Sequence, residues 1–290
     1  MRTLLFLLLS TLSLAQYHPS VPGQRIVVEL STDMQNWSMI LPYNSPRGFL
    51  RARPETCETF VPWITTVDAM PGTEMDIYTG GVRNTSCWAS TMDLTPLAKG
   101  GLNAGTLISP RHVLFVTHYY PAANTEMVWF TQANESVTRT VTAFATVPDT
   151  ASYYPDLTVG ILDSDVPGSV GFVKVLNETG LSDWAGYNVP VVVRNREDRL
   201  SVADIGTWGN SVSLSQPIVA SRLVKYQPMV SGDSGSPVCL VHDNRLVLVA
   251  LVTFGGPGRG ANIARHRDAI NAAMASLGGG YQLTIFTPGS

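Results

Sequence analysis

Gly105-Thr106-Leu107-Ile108-Ser109-Pro110-Arg111-His112-Val113-Leu114-Phe115-Val116-Thr117-His118 reads as two short apolar strands folded about a turn, with His112 in the turn and His118 just past the second strand. The same rhythm runs from Asn103 to Ile263: short runs rich in Val, Ile, Thr, Phe and Tyr, broken every ten residues or so by Gly, Pro, Asn and Asp. Val113 to Val116, Met127 to Thr131, Val137 to Phe144, Leu157 to Leu162, Val189 to Val193 and Leu246 to Phe254 are such runs. Short strands at even spacing with turn residues between them predict an antiparallel sandwich or barrel. One stretch breaks the pattern: Ile263, Ile270, Met274 and Leu277 recur at helical spacing, Gly278-Gly279-Gly280 ends that helix, and a last strand is expected over Tyr281 to Phe286.

The 290 residues are 44% hydrophobic and 14% charged, which predicts a packed core. A formal net charge of -3 without any Lys or Arg block leaves no electrostatic footprint for nucleic acid or an anionic membrane. Met1-Arg2-Thr3 followed by Leu4-Leu5-Phe6-Leu7-Leu8-Leu9, with Ser13 and Ala15 beyond, reads as a signal peptide over residues 1–15. Its apolar run is too short to span a bilayer, so a secreted protein, extracellular or periplasmic, is expected, free of the membrane once the signal is removed.

Residues 16–69 read differently. Ile26 to Asp33 alternates, Trp37 follows, and Phe49-Leu50-Arg51-Ala52-Arg53 forms a second strand after the turn Asn44-Ser45-Pro46-Arg47-Gly48. This small β-hairpin module resembles short modules of multidomain exported bacterial proteins; an N-terminal extension or pro-segment is the other reading. Cys57, Cys87 and Cys239 lack metal-ligand spacing. Cys57 and Cys87 could bridge, and Cys239, in an apolar run, is expected as a buried thiol. The sequons at Asn36, Asn84, Asn134 and Asn177 mark surface loops.

The chemistry centres on Gly232-Asp233-Ser234-Gly235-Ser236-Pro237. Amide hydrolysis at neutral pH needs a nucleophile beside a base in the right tautomer, and donors aimed at the developing oxyanion. Two glycines around Ser234 let the chain bend sharply and turn the N–H groups of Gly232 and Ser234 into one small space. Gly-Asp-Ser-Gly-x-Pro before an apolar strand resembles the nucleophile loop of chymotrypsin-like serine proteases, in their cysteine-poor bacterial branch.

That resemblance covers roughly Thr79 to Phe286 and rests on four ordered motifs. It implies His118, after its strand, as the base; His18, His242 and His266 lie in no comparable setting. Asp156, in Tyr154-Pro155-Asp156-Leu157-Thr158-Val159, implies the acid that orients it, whereas Asp149, Asp163 and Asp165 read as loop acids. Leu251-Val252-Thr253-Phe254-Gly255-Gly256 resembles the strand that pairs with substrate. Thr253 would set a hydroxyl near Asp156, Phe254 would wall the specificity pocket, and Gly255 would offer its backbone to an extended peptide. Pro228, Met229, Val230 and Ser231 would line the pocket, and without an acid there an apolar or small substrate side chain is expected.

The family fold implied is all-β: two six-stranded antiparallel β-barrels with a C-terminal helix, over residues 70–290. The reaction implied is endopeptidase hydrolysis of a protein or peptide substrate through an acyl-enzyme, by a monomer with no metal or organic cofactor. Asn103 and Tyr119 stand where the family often has cysteines, and Arg25-Ile26-Val27 lies some ninety residues before His118, too far to be an activation junction. Asp233 would be buried and needs a donor: an arginine such as Arg222, a new N-terminus, or backbone N–H groups. A catalytically silent homologue and a secreted β-rich binding or adhesion protein are the alternatives.

Overall fold

The computed structural model describes residues 24–31, 38–39, 49–56, 67–100, 105–148, 155–177 and 189–287. The expected signal peptide at 1–15, His18, Asn36, Cys57, Asn103 and Asp149 lie outside them. The chain is mostly β, as the repeating short apolar runs predict. β1 (Gln24–Ser31), β2 (Ser38–Met39) and β3 (Phe49–Thr56) form an antiparallel sheet in the order β2-β1-β3, with Ser31 opposite Phe49 and Gln24 opposite Thr56. β4 (Tyr78–Thr79) and β5 (Val82–Arg83) form a hairpin across Gly80 and Gly81, whose φ of 59° and 87° suit the two-residue turn that matches strand twist.

Five strands make the next sheet: β6 (Thr106–Leu107), β7 (His112–Val116), β8 (Thr125–Phe130), β9 (Ser136–Thr146) and β10 (Leu157–Leu162), in the order β6-β7-β10-β9-β8. Its ladder is open, and single bridges from Leu97 to Thr106 and from Lys99 to Val128 lay one segment against both of its edge strands.

The remaining strands are β11 (Lys174–Leu176), β12 (Pro190–Arg194), β13 (Leu200–Trp208), β14 (Ser211–Ser215), β15 (Pro237–His242), β16 (Arg245–Phe254), β17 (Arg259–Asn262) and β18 (Ile285–Phe286). Six of them run β15-β12-β13-β14-β17-β16, and pairing of β15 with β16 closes the ring into a barrel. β11 adds to β16 in parallel, and β18 adds to β11 in parallel beyond it. One turn of helix, α1 (Ala220–Leu223), follows β14, and α2 (Arg267–Leu277) follows a 3-10 turn over Ile263–His266. The expected helix thus begins with tighter winding, where the Asn262 side chain accepts from the Ala264 N–H. The last strand shrinks from Tyr281–Phe286 to Ile285–Phe286, because β11 offers pairing only at Val175 and Leu176.

Continuous burial along β7, β10 and β12 has one cause: both faces of these strands are covered. In β12, Val191 and Val193 fill the barrel interior while Val192 faces a second core. In β7, Leu114 and Val116 join that second core, and Val113 and Phe115 pack inside the open sheet with Trp129 and Val141. The shared core, with Leu157, Val159, Cys239 and Leu251, therefore glues the open sheet to the barrel. The segment before β4 is tied to the barrel by polar contacts: buried Lys225 donates to the Met70 carbonyl at 2.6 Å, and buried Arg222 pairs with Asp68 and Asp204. Cys87 and Cys239 are free and buried among the described residues, and the possible bridge from Cys87 to Cys57 falls on a residue outside them; the Cys87 thiol donates weakly to the Met75 carbonyl at 3.7 Å.

Candidate active site

Three strand ends meet at the edge of the shared core. β7 ends at Val116 and delivers His118 two residues on; β10 begins at Leu157, opposite Val116, and sets Asp156 immediately before it. Asp156 takes a left-handed backbone, φ 54°, which Asp tolerates better than most residues. Its carbonyl accepts from the Thr117 N–H at 2.9 Å, and Oδ1 accepts from the His118 N–H at 3.0 Å. Oδ2 then lies 2.5 Å from His118 Nδ1. The carboxylate grips both the backbone and the ring of the same residue, so the imidazole plane is set from behind.

The other ring nitrogen, Nε2, is 2.8 Å from Ser234 Oγ. Ser234 precedes β15 in a turn whose flanking glycines both have positive φ, 95° at Gly232 and 87° at Gly235. A side chain at either position would be strained there, which is why the sequence spends glycine twice in four residues. The Gly235 N–H donates to the Val252 carbonyl at 2.8 Å, locking the turn onto β16. Among the described residues the Gly232 and Ser234 N–H groups have no acceptor, so both are available to a ligand oxygen.

Asp233 is 1% exposed, and a carboxylate so placed would cost several kcal/mol if left unpaired. Its Oδ2 accepts from the Val230 N–H at 2.7 Å and its Oδ1 from the Arg196 N–H at 3.1 Å. Of the three expected donors, backbone N–H groups supply the answer. Arg222 lies elsewhere, committed to Asp68 and Asp204.

The segments expected to line a substrate channel run side by side. Met229 and Gly256 exchange both backbone hydrogen bonds, at 2.8 and 3.0 Å. Pro228 and Met229 thus lie beside the segment Thr253, Phe254 and Gly255. Phe254 is 66% exposed, Gly255 is exposed, and Gly255 bonds nothing among the described residues. Met229 is buried, and a methyl group added at Gly258 would come within 3.1 Å of its Cγ and 2.9 Å of Leu214 Cδ1. The space beside Gly258 is thus already filled by the apolar side chains of Met229 and Leu214.

Two expected placements fail. The Thr253 hydroxyl donates to the Arg259 carbonyl at 3.1 Å, not to Asp156. The β16–β17 register shifts between Val252 and Phe254, so Thr253 is the extra residue of a bulge and turns toward its own hairpin. His112 is not in a turn: it opens β7, fully buried, with Nδ1 2.8 Å from Ser109 Oγ. Burial holds its ring below the ordinary histidine range, an effect that the carbonyls of Gly278 and Met274 oppose. The turn from Arg194 to Arg199, which supplies one of the two donors to Asp233, carried no sequence signal.

Chemically, the line from Asp156 through His118 to Ser234 is a proton-transfer path. With Nδ1–H held by the carboxylate, Nε2 presents its lone pair to the hydroxyl. Among the described residues, no group of three or more His, Cys, Asp or Glu is placed to hold a metal ion. No known family model matches the sequence, and no curated protein matches it.

Proposed function

We propose that the chain is a serine hydrolase that cleaves peptide bonds through an acyl-enzyme, a secreted endopeptidase of the chymotrypsin-like type. One observation carries this reading: the unbroken pair of contacts, 2.5 Å from Asp156 to His118 and 2.8 Å from His118 to Ser234. Ser234 Oγ attacks the scissile carbonyl while His118 Nε2 takes its proton; the same proton then goes to the leaving amine, and water repeats the sequence on the ester. Asp156, held against Nδ1, stabilises the imidazolium. Gly232 and Ser234 N–H groups meet the oxyanion, a contribution of about two to three powers of ten in rate per donor.

The two-barrel architecture belongs to the same proposal, with the open sheet as the first barrel and the segment bridging Thr106 and Val128 as its sixth strand. A peptide substrate is favoured over a small ester by the exposed Gly255 backbone, which bonds nothing among the described residues and is open to an extended chain. Exposed Tyr120, Val230 and Phe254 stand close in sequence to His118, Ser234 and Gly255 and offer apolar surface to residues on either side of the scissile bond. Crowding of Gly258 by the side chains of Met229 and Leu214 favours a small apolar side chain on the acyl side. Export after removal of residues 1–15 completes the proposal.

A fluorophosphonate probe tests the nucleophile: the wild-type chain labels and Ser234→Ala does not. Absence of wild-type labelling, or equal labelling of the variant, sinks the hydrolase reading. A casein digest run beside it separates a peptidase from an esterase.

A further inference from the structure

Ser231 and Gly232 share one peptide unit, and that unit can turn over cheaply. Gly232 sits at φ 95°, and glycine adopts the opposite sign of φ about as readily. A planar trans unit carries its C=O and N–H in opposite directions, so whatever fixes the Ser231 carbonyl also fixes the Gly232 N–H.

Arg196 fixes it. Its Nη1 donates to the Ser231 carbonyl at 2.6 Å, while its own N–H donates to Asp233 Oδ1 at 3.1 Å. The turn that carries Arg196 is braced in its own right. Asn195 Oδ1 accepts from the N–H groups of Glu197 and Arg199, both at 3.0 Å, and Asn195 Nδ2 donates to Gln227 Oε1 at 3.2 Å. Buried Arg194 pairs with Asp198 across the same turn. A stiff hairpin end thus places a guanidinium against one carbonyl of the nucleophile loop.

We propose that Arg196 is a positioning residue of the hydrolytic site, its guanidinium holding the Ser231–Gly232 peptide so that the Gly232 N–H faces the oxyanion. This rests on the serine-hydrolase reading above. The bond is charge-assisted, and so stronger than the water contacts that would replace it. Without it the peptide divides its time between two orientations, only one of which donates.

The test compares the full chain with Arg196→Met and Arg196→Lys. Both variants keep the backbone N–H to Asp233; Met removes the cation, and Lys restores one. The readouts are kcat and KM on a fluorogenic peptide with alanine on the acyl side, inhibition by the matching peptidyl trifluoromethyl ketone, and the thermal midpoint. For Arg196→Met, kcat falls by about ten- to a hundredfold, less than outright loss of a donor. KM stays within about threefold, and ketone affinity falls by the same factor as kcat/KM, because the ketone adduct carries the oxyanion. Arg196→Lys recovers most of the loss at an unchanged midpoint. Loss of kcat with full ketone affinity, an effect on KM alone, or an Arg196→Met enzyme within about twofold of wild type on every readout overturns the clamp while leaving the hydrolase reading standing. A wild-type chain that neither hydrolyses nor labels overturns both.

Discussion

Asp156→Asn isolates the orienting role of the carboxylate from every structural role it has. Asn tolerates the left-handed backbone that Asp156 adopts at φ 54°, so the start of β10 is preserved. The carbamoyl oxygen keeps the acceptor position that the His118 N–H occupies at 3.0 Å. Its NH2 group then falls at the position now 2.5 Å from Nδ1, where it must donate. The ring answers by moving its proton to Nε2, which then faces Ser234 Oγ at 2.8 Å as a donor and no longer as a base. A wrong tautomer of this kind costs about four powers of ten in kcat, or about 5.5 kcal/mol at about 1.4 kcal/mol per tenfold. The stability change is far smaller: His118 is 47% exposed, and a screened pair of that kind contributes under about 1 kcal/mol. The assay is steady-state hydrolysis of a fluorogenic peptide, with calorimetry to establish the fold. A folded Asp156→Asn enzyme within tenfold of wild-type kcat refutes the assignment.

Asp233→Asn leaves one of two buried N–H donors, at Val230 or Arg196, facing an NH2 group; we expect a loss of about 1–3 kcal/mol in stability together with reduced kcat, read by denaturant melts and turnover. Met229→Ala opens a cavity beside Leu214 and Gly258: stability drops by about 2–5 kcal/mol, and on the proposed reading preference in a peptide library moves from small toward larger apolar residues. Dominance of Lys or Arg in the wild-type profile contradicts that specificity. His112 is held neutral by burial, below its ordinary 6.5, so the unfolded chain binds the extra proton first. Its contribution to stability is present above pH 6.5 and is lost as the pH falls from there through the lowered folded value; His112→Asn should flatten that limb of the stability–pH curve.

What the sequence displays is what local chemistry determines. The Gly232 to Gly235 turn is legible because positive φ selects glycine, and His118 and Asp156 are legible because each sits at the end of a run whose apolar residues are covered on both faces. The helix over Ile263 to Leu277 shows its period, but its tight first turn depends on the Asn262 side chain and not on periodicity. His112 is misplaced for a related reason. Ser109-Pro110-Arg111 already completes the turn, Ser109 Oγ accepting from the N–H groups of both Arg111 and His112, so the strand starts one residue earlier than apolarity suggests.

Long-range backbone contacts are the opposite case. The Thr253 hydroxyl is expected near the acid only from the resemblance of its strand, and a bulge visible only in the β16–β17 register turns it to Arg259. The partner of Asp233 shows the limit most sharply. The residue type dictates only that a buried carboxylate needs a donor, and arginine is a natural candidate. An arginine does come, from 37 residues away, but it reaches the carboxylate with its main-chain N–H and spends its guanidinium on Ser231. A main-chain donor has no side-chain signature, since any residue but proline supplies it. The register of β12 against β13 and β15 decides which N–H arrives, so a loop held by backbone donors becomes readable only after the barrel around it is closed.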